Sequence, residues 1–236
     1  MTAPISLSEL ATALQVERGE LISLVGGGGK TTTLFALGDQ LVGTTVLTTT
    51  TKMGAEQSGE FDVLIDPTDQ QLRSALEQSG RVLAWKAADD RRAIGVDALT
   101  ADRWFGIADN VVVEADGSRK RPFKAPAGHE PVIPSTTTLL IACVGASAFG
   151  RVISECCHRP DQVAALAGCS ESDILTPARA AGVLQSSQGS RKDLPPGARF
   201  AIAVCRVGEQ HGAAIDDLAK AITDDTLIVA VADGLS

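Results

Sequence analysis

Residues 21–35, LISLVGGGGKTTTLF, constrain this chain more than any other stretch. Residues 21–25 are almost all apolar, the pattern of a buried strand. Four glycines, Lys30 and three threonines follow, and an apolar, helix-like run begins at Leu34. A glycine run between strand and helix lets backbone N–H groups turn inward around an anion, and the helix start aims its positive dipole end at the same point. Lys30 supplies an ammonium for β- and γ-phosphate oxygens, and Thr31 a hydroxyl for Mg²⁺. The stretch reads as a phosphate-binding loop, with Gly26, Gly27, Gly28, Gly29, Lys30, Thr31 and Thr32 as the cradle. The alternative is a flexible turn with a solvated lysine, but the order strand, glycines, Lys-Thr, helix favours the loop.

The spacing departs from G-x-x-x-x-G-K-[ST], because Leu24 stands where the first glycine belongs. A shorter form, G-x-x-G-K-T-T, fits through Gly26, Gly29, Lys30, Thr31 and Thr32. That form resembles the loop of the Mur ligase and folylpolyglutamate synthase group.

At 236 residues the chain can bury a full core, and one α/β domain over residues 1–236 is the simplest count. With aromatics at 3% and no tyrosine, that core must rest on Val, Leu, Ile and Ala. A net charge of −8 argues against nucleic-acid or anionic-membrane partners, which need a basic face. No apolar run is long enough to span a membrane and no basic signal-peptide start is present, so a cytoplasmic location is expected. Cys143, Cys156, Cys157, Cys169 and Cys205 are odd in number and lack C-x-x-C spacing, which fits reduced thiols better than disulfides or a zinc site. Cys143 and Cys205 lie in apolar runs and read as core residues. Cys156-Cys157-His158 reads as partly buried, since adjacent side chains rarely converge on one tetrahedral ion.

Ser6-Leu7-Ser8-Glu9 has the form of a capping box and predicts a short helix within residues 1–15. Strands are predicted at 21–25, 44–51, 61–65, 81–85, 110–114, 137–144, 200–205 and 227–231. Helices are predicted at 31–41, 66–80, 99–105 and 212–222, with only helical pieces and turns between 151 and 195. This alternation implies right-handed βαβ units and an α/β fold class, a three-layer P-loop NTPase-like fold with a mostly parallel sheet flanked by helices. Ligands of such sheets bind beyond the carboxyl ends of the strands, which puts 26–32, 48–52, 114–118 and 145–148 along one edge.

Residues 111–118, VVVEADGS, have the form of a Walker B strand. An acid at its end holds Mg²⁺, directly or through water, or orients an attacking water. Glu114 and Asp116 both qualify, and the sequence does not choose between them. Arg119, Lys120, Arg121 and Lys124 follow. Beside a nucleotide they would bind a second anionic substrate or stabilise a transferring phosphoryl group; otherwise they form a solvated loop. The loop over 117–134 is long enough to suggest function. His129 and Glu130 on it are candidates for an acid–base pair, although chemistry alone favours a surface turn. Among Thr48–Thr51, Thr49 is the candidate for a hydroxyl on Mg²⁺, with strand packing as the plainer role.

VGGGGKTTTLFALG, TTTTKM and VVVEADGSRKRPFKAPAGHEPVIP together resemble the YqeC family, from about residue 15 to the end and more loosely after Pro160. The resemblance implies a P-loop nucleotide-binding protein of selenium cofactor biosynthesis, an accessory of selenium-dependent molybdenum hydroxylases. It implies Mg²⁺ and ATP or another NTP as cofactors, and a selenium or molybdenum cofactor species and a molybdenum hydroxylase as partners. It supports Lys30, Thr31, Glu114, Asp116, Arg119, Lys120, Lys124, His129 and Glu130 as site residues. The leading expectation is an enzyme that hydrolyses or transfers phosphate from NTP. The alternatives are a nucleotide-dependent chaperone or switch, and a Mur-like ligase, for which 236 residues leave little room. One departure bears on the base. Where the family resembles GTPases in an N-K-x-D-like stretch, this chain has Cys205-Arg206-Val207-Gly208, without the Asp that reads guanine, so GTP is less favoured.

Overall fold

A strand buried on both sides must be apolar on both faces, and residues 21–25 meet that condition. They form β1 (Leu21–Gly27) in the computed structural model, which describes residues 3–233. The other strands, in chain order, are β2 (Thr45–Thr49), β3 (Lys52–Gly54), β4 (Asp62–Ile65), β5 (Arg81–Trp85), β6 (Ala87–Ala88), β7 (Arg92–Ile94), β8 (Asn110–Glu114), β9 (Phe123–Lys124), β10 (Leu139–Gly145), β11 (Cys157–His158), β12 (Arg199–Val207) and β13 (Leu227–Ala232). The helices are α1 (Leu10–Ala13), α2 (Lys30–Gln40), α3 (Asp69–Ser79), α4 (Ala98–Phe105), α5 (Ile153–Cys156), α6 (Pro160–Ala167), α7 (Pro177–Gln185) and α8 (Gly212–Ala221).

Eight strands form one sheet in the order β13-β12-β10-β1-β8-β2-β5-β4, and every pairing in it is parallel. Side chains alternate between its faces. Ile22, Leu24, Val112 and Ile141 pack with Leu10 of α1 and with Leu34 and Leu37 of α2. Leu21, Val25, Val113 and Ala142 pack with Leu72 of α3, Trp104 of α4, Val163 of α6, Val183 of α7 and Leu218 of α8. The result is the three-layer α/β, P-loop-like architecture expected. Local chemistry fixes the helix ends. At α3, Thr68 and Gln71 cap each other reciprocally, and Gly80 ends the helix in the left-handed region at φ 75°.

Most predicted strands and helices recur within a few residues of their bounds, and the departures have physical causes. The strand expected over 44–51 stops at Thr49. Beyond it the chain bends, because the amides of Val96 and Gly95 reach the carbonyls of Thr49 and Thr51 at 2.9 and 2.7 Å. The N-terminal helix is a 3₁₀ turn, Leu7–Glu9, followed by α1. The loop over 117–134 carries β9, which pairs in parallel with β11. β3, β7 and β6 form a separate antiparallel sheet. Strands this short carry no periodic signal. No helix among the described residues is long and apolar enough to cross a membrane, and all five cysteines are free thiols.

The topology also places the site. β8 lies on one side of β1 and β10 on the other, so the connection between them crosses the carboxyl end of β1, where the glycine run sits.

Candidate functional site

Gly29 is the residue before α2 and takes φ 102°, a left-handed conformation that glycine adopts without strain. A Cβ there would also stand 2.6 Å from the Cys205 sulfur. At Gly27 the requirement is close approach, since a Cβ would stand 2.6 Å from the Arg121 carbonyl oxygen and 2.8 Å from the Phe123 nitrogen. The backbone of 121–123 therefore lies across the loop. It is held there by the Gly145 N–H, which donates to the Pro122 carbonyl at 2.8 Å.

Lys30 is not the solvated lysine of a flexible turn. Its side chain is 3% exposed, and its ammonium donates to the Gly26 carbonyl at 2.5 Å. It lies 3.2 Å from Asp116 Oδ1 and 3.8 Å from Glu114 Oε1. Burial works against that ammonium, but the carboxylates of Asp116 and Glu114 outweigh it and raise its pKa. Thr31, one residue on, donates its hydroxyl to Glu114 Oε2 at 2.9 Å. Burial pushes the Glu114 carboxyl above its usual range, with Lys30 and Thr31 offsetting part of the effect.

The two acids that the sequence left equivalent thus do different things. Glu114 faces the Thr31 hydroxyl. Asp116 joins two lysines: its Oδ2 accepts from the Gly26 N–H at 3.1 Å and lies 3.0 Å from Lys124 Nζ. Lys124 is 1% exposed and also donates to the Gly117 carbonyl at 2.8 Å and to Glu130 Oε2 at 2.7 Å. Arg159 reaches the same Glu130 oxygen at 2.8 Å. Burial opposes ionisation of Glu130, but Lys124 and Arg159 prevail and hold it at about 2. A chain of alternating cations and carboxylates therefore runs from the glycine loop through Asp116 and Lys124 to Arg159.

Several expected residues fall elsewhere. The Thr49 hydroxyl donates to the Glu114 main-chain carbonyl at 2.8 Å and accepts from the Thr51 N–H at 3.0 Å. Being fully buried, it positions the Glu114 backbone and offers no free hydroxyl. His129 and Glu130 do not act as a pair, because the carboxylate is engaged by Lys124 and Arg159 while His129 is exposed. The basic run divides: Lys124 is buried, whereas Arg119, Lys120 and Arg121 are exposed. Thr32 is exposed as well. It lines a pocket of ≈ 300 Å³ beside the loop, together with Gly29, Thr33, Cys205, Arg206 and Asp233.

Sequence reading missed Arg159, Lys192 and Cys205 as neighbours of this site. The Lys192 ammonium caps the carbonyls of Ala127 and Gly128 at 3.1 and 2.9 Å, and that of Glu130. Arg159 and Lys192 lie in the stretch after residue 150, where no motif pointed to them. Among the described residues, no group of three or more His, Cys, Asp or Glu side chains could hold a metal ion.

The family model described as YqeC protein matches residues 22–161, which include every member of the charged chain from Lys30 to Arg159. A protein of Escherichia coli (strain K12) described as uncharacterized protein YqeC is 33% identical over 190 residues, covering 78% of this chain and 74% of that protein. No solved structure matches.

Proposed function

The chain belongs to the YqeC family, and from that premise we propose that it binds a magnesium nucleotide in the glycine loop and uses it in maturing selenium-dependent molybdenum hydroxylases. The observation that carries the nucleotide reading is the Thr31 hydroxyl on Glu114 at 2.9 Å, beside the Lys30 ammonium at the end of the glycine run. The first amides of α2 have no intrahelical partner and supply the anion cradle. Lys30 holds phosphate oxygens, and the pocket lined by Thr32, Thr33, Arg206 and Asp233 takes the nucleoside.

Mg²⁺ in nucleotide sites keeps one or two protein oxygens and fills its shell with phosphates and water. Thr31 and Glu114 fit that arrangement, and a cation beside Glu114 relieves the burial that raises its pKa. The ion, when bound, neutralises charge on the phosphate oxygens. Phosphoryl transfer in such a site is mainly positioning and electrostatic stabilisation, which these residues supply. The selenium and molybdenum part of the reading rests on the family resemblance.

The test is equilibrium binding of Mg-ATP, Mg-GTP and Mg-CTP to the wild type and to Lys30→Ala. Micromolar binding of one nucleotide, lost in the variant, is expected, with ATP favoured over GTP. Failure of all three to bind overturns the reading. A second reading, a slow nucleotide-dependent switch that docks on the hydroxylase, is favoured by the 121–123 backbone lying on Gly27. It predicts capture of a molybdenum hydroxylase that changes with nucleotide.

A further inference from the structure

A second pocket, of ≈ 470 Å³, shares no lining residue with the one beside the glycine loop. Its walls are Arg119 and Arg121 from the connection after β8, Ser154 of α5, Cys157 and His158 of β11, and Arg159 just before α6. The volume lies in the range of small-molecule sites, ~300–1,000 Å³. Chain pairing builds it: β9 against β11 brings the two walls together across more than thirty residues of sequence.

The charges there are unbalanced. Among the described residues Arg119 and Arg121 have no carboxylate within ion-pair distance, and only Arg159 has one, Glu130. Arg121 donates one N–H to the Glu155 carbonyl, which orients the guanidinium and leaves its remaining donors. His158 feels the excess: burial, and then Arg159, Lys124 and Arg119, lower its pKa. In a chain of net charge −8, two guanidiniums without an acid partner in one concavity leave a local excess of positive charge.

Backbone conformation adds to this. Arg119 and Arg159 sit in the left-handed region at φ 50° and φ 58°. Non-glycine residues there are strained and persist only where the surroundings impose them. The backbone at two of the pocket's three arginines is thus held in this conformation by its surroundings. The N-cap and first residue of α6, Arg159 and Pro160, line the same pocket, so the positive end of the helix dipole lies at its wall.

We propose that this pocket binds a small molecule through a phosphate or carboxylate group, gripped by the Arg119 and Arg121 guanidiniums with His158 beside it. A guanidinium fork matches either oxyanion with two parallel hydrogen bonds, which an ammonium does not provide. The pocket shares no lining residue with the one beside the glycine loop, and its ligand does not require a nucleotide there.

The test follows the His158 C2–H resonance of the full chain by NMR, identified with His158→Gln, while pyrophosphate or succinate is added. A saturable shift is expected, with its midpoint raised at least tenfold in the double variant Arg119→Gln/Arg121→Gln. The variant loses the Arg121 hydrogen bond to the Glu155 carbonyl, and a melting temperature close to that of the wild type checks that it is folded. A tighter response to pyrophosphate identifies a phosphate ligand, and a tighter response to succinate a carboxylate. No saturable shift with either anion, or an unchanged midpoint in the double variant, overturns the proposal. A glycine loop that binds no nucleotide leaves this outcome as it stands.

Discussion

Replacing Glu130 with Gln should remove a pH-dependent part of the stability, and its size can be worked from the structure. The carboxylate is 15% exposed and receives Lys124 at 2.7 Å and Arg159 at 2.8 Å. Its pKa falls from 4.5 to about 2. At about 1.4 kcal/mol per pKa unit this corresponds to roughly 3 kcal/mol, which solvent screening of a partly exposed group reduces to about 2 kcal/mol. The folded pKa is depressed, so the contribution is complete above the unfolded value near 4.5 and is lost as pH falls toward 2. Urea unfolding of wild type and Glu130→Gln at pH 7 and pH 3 measures it. The variant should be less stable by about 2 kcal/mol at pH 7, and the gap should shrink to less than half at pH 3. Carboxylates outside the Asp116–Lys124–Glu130 network titrate alike in both proteins and cancel in the difference. A gap that stays constant between the two pH values would refute the charge-chain account of the loop.

Gly27→Ala puts a methyl group 2.6 Å from the Arg121 carbonyl, so unfolding should show a loss of about 1–3 kcal/mol. Gly128→Ala in the same loop meets nothing within 4 Å and serves as the control. Thr31→Ala removes the hydroxyl on Glu114 and should weaken nucleotide affinity at least tenfold with Mg²⁺ present, with little change in EDTA; titration calorimetry separates the two. Lys192→Met uncaps the carbonyls of Ala127, Gly128 and Glu130, and hydrogen exchange over 126–132 should accelerate while the core strands keep their protection.

Much of the architecture is legible in local sequence, because the signals that specify it are local. The apolar residues within 21–25 and 111–113 have the pattern of strands buried on both faces, and the glycines before Lys30 take a backbone that other residues resist. The Thr68–Gln71 box and Gly80 bound a helix by chemistry contained within its own turns. The sequence alone therefore determined the parallel three-layer fold and the position of the glycine loop at the end of its first strand. It could not choose between Glu114 and Asp116, two residues apart on one strand end. That choice depends on which one meets the Thr31 hydroxyl and which meets Lys124. Nor could it show that Glu130 pairs with Arg159, or that Arg119 and Arg121 share a pocket with His158. Those contacts arise only when β9 pairs with β11 and the connection after β8 crosses the end of β1. Ion pairing and pocket formation depend on distance in space, and only tertiary packing sets that distance for residues so far apart in the chain.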